Sequence, residues 1–377
     1  MAIPFIDLKT QYKALKPKIQ ERINAVLEHG AYVNGPEVAE LEKKLAEFTG
    51  AKYALACASG TDALVLPLMA AGIGFGGNGK DDEVITTAFS FIATAETIVL
   101  AGATPVYVDI DPVTFNIDVS KIEKAITKKT KAIMPVSLYG QTADMDEINA
   151  IAKKHGLTVI EDSAQSFGAT YKNKRSCNLS TFGGTSFFPA KPLGGYGDGG
   201  AVFTSDEKMH IAMKEIREHG SEKRYYHTRL GLNARLDTIQ CAILLAKMER
   251  YPWEIEQRQK IGAKFNQAFS EIKTKDFSYP KVQPHNQSVW AQYTVTVGNR
   301  ADFQKKLTEM GVPTSIHYPH IMPDQPWYKA QLEKAHVTGD WTKARWAADH
   351  VISLPMFPDM DSKTQDQIIE AVIKALK

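Results

Sequence analysis

Residues 131–164, KAIMPVSLYGQTADMDEINAIAKKHGLTVIEDSA, place a helical stretch between two apolar runs. The runs KAIMPVSLYG and LTVIEDSA are short and apolar, which is typical of buried strands, whereas DMDEINAIAKKHG between them is typical of a helix. A strand, a helix and a second strand in this order predict a crossover unit whose two strands are parallel. This stretch therefore predicts an α/β fold.

The same alternation of strand and helix candidates extends over most of the first two thirds of the chain. Two amphipathic helices come first, in QYKALKPKIQERINAVLEHG and GPEVAELEKKLAEFTG, and the strand candidates that follow include KYALACAS, DEVITTA, TPVYVDID, GTSFFPA and GAVFTS. Strands that alternate with helices imply parallel sheets buried on both faces. We therefore expect a mostly parallel central sheet.

The pattern changes near residue 250. DTIQCAILLAKMERYPWEIEQRQKIGAKFNQAFSEI predicts a long helix that breaks near Pro252, and beyond it come the strand candidate WAQYTVTVG, the helix candidate RADFQKKLTEMG and a terminal helix after FPDMDSKT. Strands and helices that no longer alternate are typical of an α+β arrangement. We predict a large α/β domain over residues 1–249 and a small C-terminal α+β domain over residues 250–377.

Composition and charge narrow the class of protein. The 377 residues are 44% hydrophobic with a net charge of +2, which favours a globular protein and gives no support for nucleic-acid binding. The three cysteines, Cys57, Cys177 and Cys241, lack a CxxC spacing, so we expect neither disulfides nor a zinc cluster. No apolar signal segment is apparent, and the longest apolar run is interrupted by Pro67. We expect a cytoplasmic protein without membrane spans.

Two features carry the strongest chemical signal. The strand candidate LTVIEDSA ends on Glu161 and Asp162, and ligands of open α/β sheets bind outside the carboxyl ends of the strands. Lys191 stands in SFFPAKPLGGYGDGGA, among aromatic residues, prolines and glycines. Pyridoxal phosphate (PLP) needs a lysine for a Schiff base and an acid that keeps its pyridine nitrogen protonated. The combination indicates a PLP site, although the carboxylates alone favour a helix cap or a loop.

A phosphate site is expected between the first strand candidate and the next helix. Ser59, Gly60 and Thr61 stand there in ACASGTDAL, and backbone N–H groups at a helix N-terminus bind anions. An ordinary helix cap at Ser59 or Thr61 explains the same residues equally well. Ser186 can add a hydroxyl, and Phe91 can either stack on the cofactor ring or pack in the core.

Three other motifs are weaker. Gly195–Gly200 matches GxGxxG, but a strand candidate rather than a helix follows it, so we discount NAD binding. Residues 221–237, SEKRYYHTRLGLNARLD, are basic and aromatic, which at a net charge near zero favours phosphate contacts over nucleic-acid binding. His317 and Tyr318 in SIHYPH have no second cluster of ligand residues nearby, so we expect a loop over a polar substrate rather than a metal site.

Together the motifs resemble a known family. ASGTDAL, FSFIATAETI, ATPVYVDID, VIEDSAQSFGA, SFFPAKPLGGYGDGGA, GLNARLDTIQ and IHYP occur in the order seen in the DegT/DnrJ/EryC1/StrS sugar aminotransferases. The resemblance runs from FIDLKTQY to SLPMFPDM, which is nearly the whole chain. It implies the fold type I of PLP enzymes, similar to aspartate aminotransferase, with PLP bound by the large domain.

The resemblance also implies roles for individual residues. Lys191 would form the Schiff base with PLP, and Asp162 would pair with the pyridine nitrogen. The other cofactor contacts would come from Gly60, Thr61 and Ser186 at the phosphate, Phe91 on the ring face, Gln165 beside the ring hydroxyl, and Asn233 at the phosphate of the partner subunit. Because Asn233 of one subunit would contact the phosphate bound in the other, the resemblance implies a homodimer with shared active sites.

For the substrate, the resemblance implies that Arg235, His317 and Tyr318 line the sugar or amino-donor site. A guanidinium binds a carboxylate through two parallel hydrogen bonds, so Arg235 is the candidate partner of a substrate carboxylate. An interface salt bridge explains Arg235 almost as well.

Within the family, VSLYGQ, KRSCNLSTF and GLNARLDTIQCAILL most resemble the aminotransferases that act on UDP-2-acetamido-2-deoxy-3-oxo-D-glucuronate. The resemblance implies L-glutamate as amino donor, pyridoxamine 5'-phosphate as the second cofactor form, and a 3-amino sugar acid for lipopolysaccharide O-antigen as product. Two alternatives stay open: amino transfer to C4 of a UDP- or dTDP-4-keto-sugar, and a non-catalytic sugar-binding or regulatory protein. The second would need neither Lys191 nor Asp162.

Overall fold

The computed structural model describes residues 3–77, 79, 81–334 and 339–377. Its strands are β1 (Tyr53–Cys57), β2 (Glu83–Thr87), β3 (Thr104–Val108), β4 (Thr130–Met134), β5 (Thr158–Asp162), β6 (Thr170–Tyr171), β7 (Lys174–Arg175), β8 (Phe182–Ser186), β9 (Gly200–Thr204), β10 (Ser221–Lys223), β11 (Tyr226–His227), β12 (Phe277–Ser278), β13 (Asn286–Gln287), β14 (Tyr293–Val297) and β15 (Val351–Leu354). Its α-helices are α1 (Leu8–His29), α2 (Pro36–Thr49), α3 (Asp62–Ala70), α4 (Ala93–Leu100), α5 (Val119–Ala125), α6 (Met145–His155), α7 (Glu207–Arg217), α8 (Thr238–Ser270), α9 (Arg300–Glu309), α10 (Pro326–Lys334), α11 (Thr342–His350) and α12 (Ser362–Ala375).

The two N-terminal helices form where their sequence signals predict them. The Asp7 carboxylate accepts hydrogen bonds from the first backbone N–H groups of α1, which satisfies donors that a helix start leaves free. Pro36 lies in the first turn of α2, where its missing N–H costs nothing. Both helices end at a glycine in the left-handed conformation, Gly30 at φ 69° and Gly50 at φ 76°.

The central sheet has seven strands in the order β1-β9-β8-β5-β4-β2-β3. Strands β3, β2, β4, β5 and β8 pair in parallel, whereas β9 is antiparallel to both of its neighbours, β8 and β1. The prediction of an α/β fold with a mostly parallel sheet is confirmed. Because most strands run one way, their carboxyl ends lie along a common edge, which is where such sheets bind ligands.

Helices cover both faces of this sheet. In β1, Ala54 and Ala56 pack into a hydrophobic cluster with side chains of α2 and α8, whereas Leu55 and Cys57 pack into a second cluster with side chains of α3 and α7. This separation follows from the period of two residues in a strand. Burial of each large apolar side chain contributes roughly 1.5–3 kcal/mol, so each face provides its own stabilisation.

The predicted break near Pro252 is wrong, because α8 runs without interruption from Thr238 to Ser270. A proline inside a helix removes one hydrogen bond and costs about 3 kcal/mol. Packing outweighs this cost: Tyr251 and Ile255 lie in the cluster beneath the central sheet, and Phe265 and Phe269 lie in a third cluster. One helix thus joins two hydrophobic cores. The division at residue 249 falls within this helix and remains a proposal.

The third cluster belongs to the C-terminal part of the chain. There β12, β14 and β15 form an antiparallel three-stranded sheet, against which α9 and α12 pack through residues such as Leu307, Ile368 and Val372. The adjoining strand β13 pairs instead with β6 of the N-terminal part. Among the described residues, no helix is long and apolar enough to cross a membrane.

Candidate active site

A cavity of about 550 Å³ opens at the carboxyl edge of the central sheet. Its wall includes residues that end or follow strands of this sheet, namely Ser59, Ser90, Val136, Asp162 and Ser186. Small-molecule sites typically measure about 300 to 1,000 Å³. The cavity therefore has the position and the size of a ligand site in an open α/β fold.

Most of the predicted site residues come together in this cavity. The predicted residues that line it are Gly60, Thr61, Phe91, Asp162, Gln165, Ser186, Lys191, His317 and Tyr318. Asn233 and Arg235 are not among the lining residues of the described chain. The predicted residues in the cavity are as much as 258 positions apart, from Gly60 to Tyr318, and only the fold brings them together.

Asp162 ends β5 and is 5% exposed. Its Oδ2 accepts a hydrogen bond of 2.8 Å from Thr94 Oγ1, and its Oδ1 accepts one of 3.1 Å from the backbone N–H of Ala164. Burial raises the pKa of Asp162, while the two hydrogen bonds and the Lys191 ammonium act in the opposite direction. The carboxylate is therefore fixed in place and accompanied by donors that favour its charged form.

Glu161 points away from the cavity, so the two acids at the strand end do not act as a pair. It is 0% exposed, and its carboxylate accepts hydrogen bonds from Ser137 Oγ, Ser176 Oγ and the backbone N–H of Cys177 at 2.7, 2.9 and 2.9 Å. Burial raises its pKa, and these three donors oppose that shift. Successive residues of a strand face opposite sides, which explains the separation of the two acids.

Lys191 lines the same cavity as Asp162 and lies on the loop between β8 and β9. Its backbone N–H donates to the carbonyl of Phe188 at 2.8 Å, and Gly195 N–H donates to the carbonyl of Phe187 at 2.7 Å, so the loop folds back on itself. Burial lowers the pKa of Lys191, whereas Asp162 raises it. Desolvation of this kind favours a neutral amine, which is the form that acts as a nucleophile or base.

The segment of Ser59, Gly60 and Thr61 meets Ser186 at one end of the cavity. A Cβ atom on Gly60 would lie 2.6 Å from Cβ of Ser186, so only glycine permits this approach. Ser59 is a helix cap, since its Oγ accepts from the N–H of Asp62 at 3.0 Å, whereas the Thr61 side chain makes no capping bond to the described residues. The hydroxyls of Thr61 and Ser186 and the start of α3 together suit a phosphate group.

Hydrogen-bonded side chains form another part of the cavity wall. Gln165 accepts from the backbone N–H of Tyr139 at 2.8 Å and donates to the hydroxyl of Tyr318 at 2.9 Å. The Nδ1 atom of His317 lies 2.9 Å from Ser353 Oγ, which leaves its other ring nitrogen for a ligand. Burial, and then the charge of Lys191, lower the pKa of His317 to about 4, so its imidazole is neutral at physiological pH.

Phe91 is 52% exposed at the cavity, with its ring centroid 5.8 Å from that of Tyr318 and the ring planes inclined at 42°. Phe91 is therefore not packed in the core, which was one of the two roles that the sequence left open for it. An exposed aromatic ring on a ligand cavity is available to stack on a planar ligand.

Arg235 and Asn233 lie outside the cavity of their own chain. Arg235 Nη1 donates to the carboxylate of Glu218 at 2.9 Å, and Asn233 is exposed on the same segment. The basic segment before them forms the hairpin of β10 and β11, in which Tyr225 is 82% exposed. The described residues therefore do not place Asn233 or Arg235 in the wall of this cavity.

The sequence patterns did not predict several other lining residues, among them Phe5, Thr94, Gln292 and Ser315. Phe5 precedes the first helix, and its ring centroid lies 6.1 Å from that of His317. Thr94 looks like an ordinary residue of a helical stretch. Neither residue stands at the end of a strand, so the rule that located Asp162 gave no signal for them.

Comparison with known proteins identifies the class. The DegT/DnrJ/EryC1/StrS aminotransferase family matches residues 13–373, and the chain belongs to this family. It is 53% identical over 360 residues to the UDP-2-acetamido-2-deoxy-3-oxo-D-glucuronate aminotransferase of Pseudomonas aeruginosa. The aligned residues cover 96% of each protein. The resemblance inferred from the motifs is confirmed.

Two solved structures are also similar to the chain. S. venezuelae DesV in complex with a ketimine intermediate has a TM-score of 0.94 and 33% identity, covering 100% of this chain and 99% of that one. The ntda protein of Bacillus subtilis with bound cofactor PMP has a TM-score of 0.89 and 30% identity, and the match covers 100% of this chain and 85% of that one.

The residues of the cavity fit PLP. A desolvated lysine, a fixed carboxylate, an exposed aromatic ring and a glycine-and-hydroxyl cradle correspond to its aldehyde, ring nitrogen, ring face and phosphate. Family membership and this donor set agree, and the chain is a PLP-dependent sugar aminotransferase.

Proposed function

We propose that the chain transfers the amino group of L-glutamate to UDP-2-acetamido-2-deoxy-3-oxo-D-glucuronate. The product would be a 3-amino sugar acid for lipopolysaccharide O-antigen. The observation that supports the substrate is the 53% identity, over 96% of the chain, to the Pseudomonas aeruginosa enzyme named for it. The observation that supports the chemistry is one cavity that holds Lys191 and Asp162.

The cofactor would be held by the residues that line the cavity. PLP, when bound, supplies an electron sink for the negative charge that develops at the substrate Cα. Lys191 would hold it covalently and Asp162 would face the pyridine nitrogen. The remaining contacts would be made by Gly60, Thr61 and Ser186 at the phosphate, Phe91 on the ring face and Gln165 beside the ring hydroxyl.

Lys191 has a second task in this proposal. Once the amino donor has taken its place on the cofactor, the freed Nζ atom would take up the proton of the donor Cα and pass it to the cofactor carbon that had held the lysine. Burial lowers the pKa of Lys191, which favours the neutral amine that can accept a proton. Burial also keeps water from competing for that proton. Donor and acceptor use one cavity in turn, so parallel initial-rate lines are expected.

We propose that His317 and Tyr318 contact the sugar or the amino donor. Both line the cavity, and the neutral imidazole and the protonated phenol present hydrogen-bonding groups without a charge. Arg235 would contact a substrate carboxylate only from a partner subunit, since in its own chain it is paired with Glu218 outside the cavity.

We further propose a homodimer in which Asn233 of one subunit reaches the phosphate in the other. The support is its exposed position outside the cavity of its own chain. Co-expression of Lys191→Ala and Asn233→Ala chains tests this arrangement. Each variant alone should be inactive, and the mixed dimer should regain activity at one of its two sites. A mixture as inactive as its parents would show that Asn233 serves its own chain.

A panel of keto-sugars tests the substrate. Protein converted to the amino form with glutamate is mixed with 3-keto and 4-keto sugars linked to UDP or dTDP, and the return of the PLP absorption band is followed. The UDP-linked 3-oxo-glucuronate should restore the band fastest. A 4-keto-sugar that restores it faster would move the reaction to C4, and a purified protein that takes up no PLP would favour a binding or regulatory role.

Lys191 provides the control for this assay. Lys191→Ala should abolish turnover and prevent borohydride from fixing the cofactor to the chain, whereas replacement of the exposed Lys172 by Ala should change neither. Retained turnover in Lys191→Ala would contradict the assignment.

We propose a cytoplasmic location for the reaction. The three cysteines, Cys57, Cys177 and Cys241, are free and buried in the structure, which suits a reducing compartment. Fractionation of cells followed by detection of the protein tests the proposal, and recovery outside the cytoplasm would contradict it.

A further inference from the structure

Thr94 makes a contact that none of the site assignments uses. It is 0% exposed in the first turn of α4, and its Oγ1 lies 2.8 Å from Oδ2 of Asp162. An ionised carboxylate only accepts hydrogen bonds, so the threonine hydroxyl is the donor. Hydrogen bonds to a charged partner are about twice as strong as neutral ones.

Ser90 extends this contact by one step. Its Oγ lies 3.1 Å from Thr94 Oγ1, in a pair in which either oxygen can donate. A hydroxyl has one proton, and Thr94 gives its proton to Asp162, so Ser90 must donate to Thr94. The chain of hydroxyls therefore has one direction, from Ser90 through Thr94 to Asp162. Each bond in such a chain polarises the next.

The surrounding backbone holds both ends of this chain. The N–H of Thr94 donates to the carbonyl of Phe91 at 3.2 Å, and Thr97 Oγ1 donates to the carbonyl of Thr94 at 3.1 Å. At the other end, the N–H of Ala164 holds the second oxygen of Asp162. Each carboxylate oxygen thus has one fixed donor, which defines the plane of the carboxylate.

We propose that Thr94, supported by Ser90, is a positioning residue that keeps Asp162 ionised and oriented toward the ring nitrogen of the bound cofactor. This inference rests on the proposed role of Asp162. Burial alone would favour the protonated carboxyl, and a donor of fixed geometry offsets that tendency. A neutral Asp162 could not keep the ring nitrogen protonated.

Thr94→Val tests the proposal, because valine keeps the shape and removes the donor. We expect PLP to bind about 10- to 100-fold more weakly and the half-reaction with glutamate to slow by a similar factor, as for the loss of one hydrogen bond to a charged group. The acidic limb of the pH profile of this half-reaction should move to higher pH, because the pKa of Asp162 rises. Thr94→Ser retains the hydroxyl and should restore all three quantities toward the wild type.

Thr86→Val is the matched control. Thr86 is equally buried on β2, and its hydroxyl donates to the carbonyl of Met134 at 2.8 Å, away from the cavity. This variant loses a buried hydroxyl of the same kind, so any general loss of stability affects both proteins. PLP affinity and the pH profile should change only in Thr94→Val.

Ser90→Ala tests the direction of the chain. Ser90→Ala should weaken PLP binding less than Thr94→Val does. In a protein that already carries Thr94→Val it should not weaken PLP binding further, because both changes interrupt the same chain of hydrogen bonds. If Ser90→Ala weakened PLP binding by the same factor in the wild type and in Thr94→Val, the role of Ser90 would be overturned. A Thr94→Val protein with the PLP affinity and rate of the wild type would overturn the inference alone, whereas a wild type that binds no PLP would overturn the proposed function as well.

Discussion

Glu161 and Asp162 are consecutive residues of β5, yet they lie in two different regions of the molecule. Asp162 faces the cavity that Lys191 also lines, and Thr94 and Ala164 each donate to one of its oxygens. Glu161 faces the protein interior behind the sheet edge, where hydroxyl and backbone donors take up both of its oxygens. Burial raises the pKa of both, so only their partners distinguish them.

The difference shows how one strand end serves two purposes. Asp162 leaves space in front of its carboxylate for a ligand. The carboxylate of Glu161 instead links two segments, because it accepts hydrogen bonds from Ser137, which follows β4, and from Ser176, which precedes β8. Chemistry on one side therefore depends on a fixed framework on the other. Changes at Asp162 should therefore affect the reaction, and changes at Glu161 should affect folding.

The largest effect is expected at Asp162. Asp162→Asn keeps the size of the side chain, but it removes the negative charge that faces the cofactor ring and turns one of the two accepting oxygens into a donor. The rate of the half-reaction should therefore fall by roughly 10³-fold. Single-turnover kinetics on folded protein, verified by circular dichroism, measures the change. A rate near that of the wild type would contradict the proposal that Asp162 serves the reaction whereas Glu161 serves the framework.

The next effect is expected at Glu161. Glu161→Gln turns one of the accepting oxygens into a donor that faces other donors, so the free energy of unfolding should fall by about 1–3 kcal/mol. The activity per folded molecule should stay close to that of the wild type. Urea denaturation and active-site titration measure the two quantities. A loss of activity without a loss of stability would contradict the framework role of this residue.

A smaller effect concerns the pH dependence of stability at Glu161. Since the pKa of this carboxyl is raised in the folded protein, the folded state binds the proton more tightly than the unfolded state, and stability falls as pH rises from the ordinary value of 4.5 through the raised one. Glu161→Gln lacks this contribution. The stability difference between wild type and variant should therefore shrink as pH rises, which denaturation at several pH values would reveal.

The cavity side should show the opposite sign at His317. Its pKa is lowered from 6.5 to about 4, so the unfolded state binds the proton more tightly and stability falls as pH drops through this interval. In His317→Gln this part of the pH dependence should disappear. Denaturation of both proteins between pH 4 and 6.5 is the measurement, and parallel curves would contradict the buried neutral imidazole.

Sequence patterns predicted those features that depend on neighbouring residues. The helix ends at Gly30 and Gly50 and the strand that ends in Asp162 are signalled within a few positions, and the structure confirms them. The side chain that holds Asp162 is different, because Thr94 is 68 positions away and only the fold brings the start of α4 to the end of β5. No local signal marks such a contact.

Pro252 shows the same limit from the other direction. The local rule that proline ends a helix is sound, but it does not include the energy that two separate hydrophobic clusters supply on either side of it. The outcome depends on tertiary packing, which a short window of sequence does not contain.

The continuity of α8 has a practical consequence for dissecting the chain. A cut at residue 249 would divide one helix, leaving Cys241 and Leu244 on one fragment and Phe265 and Phe269 on the other. The cut would also separate Tyr251 and Ile255 from the N-terminal side chains among which they are buried, so both fragments would expose apolar surface there. A fragment of this kind aggregates readily. Split-protein reporters or isolated-domain studies would therefore do better to keep residues 238–270 whole and to place the break in a surface loop.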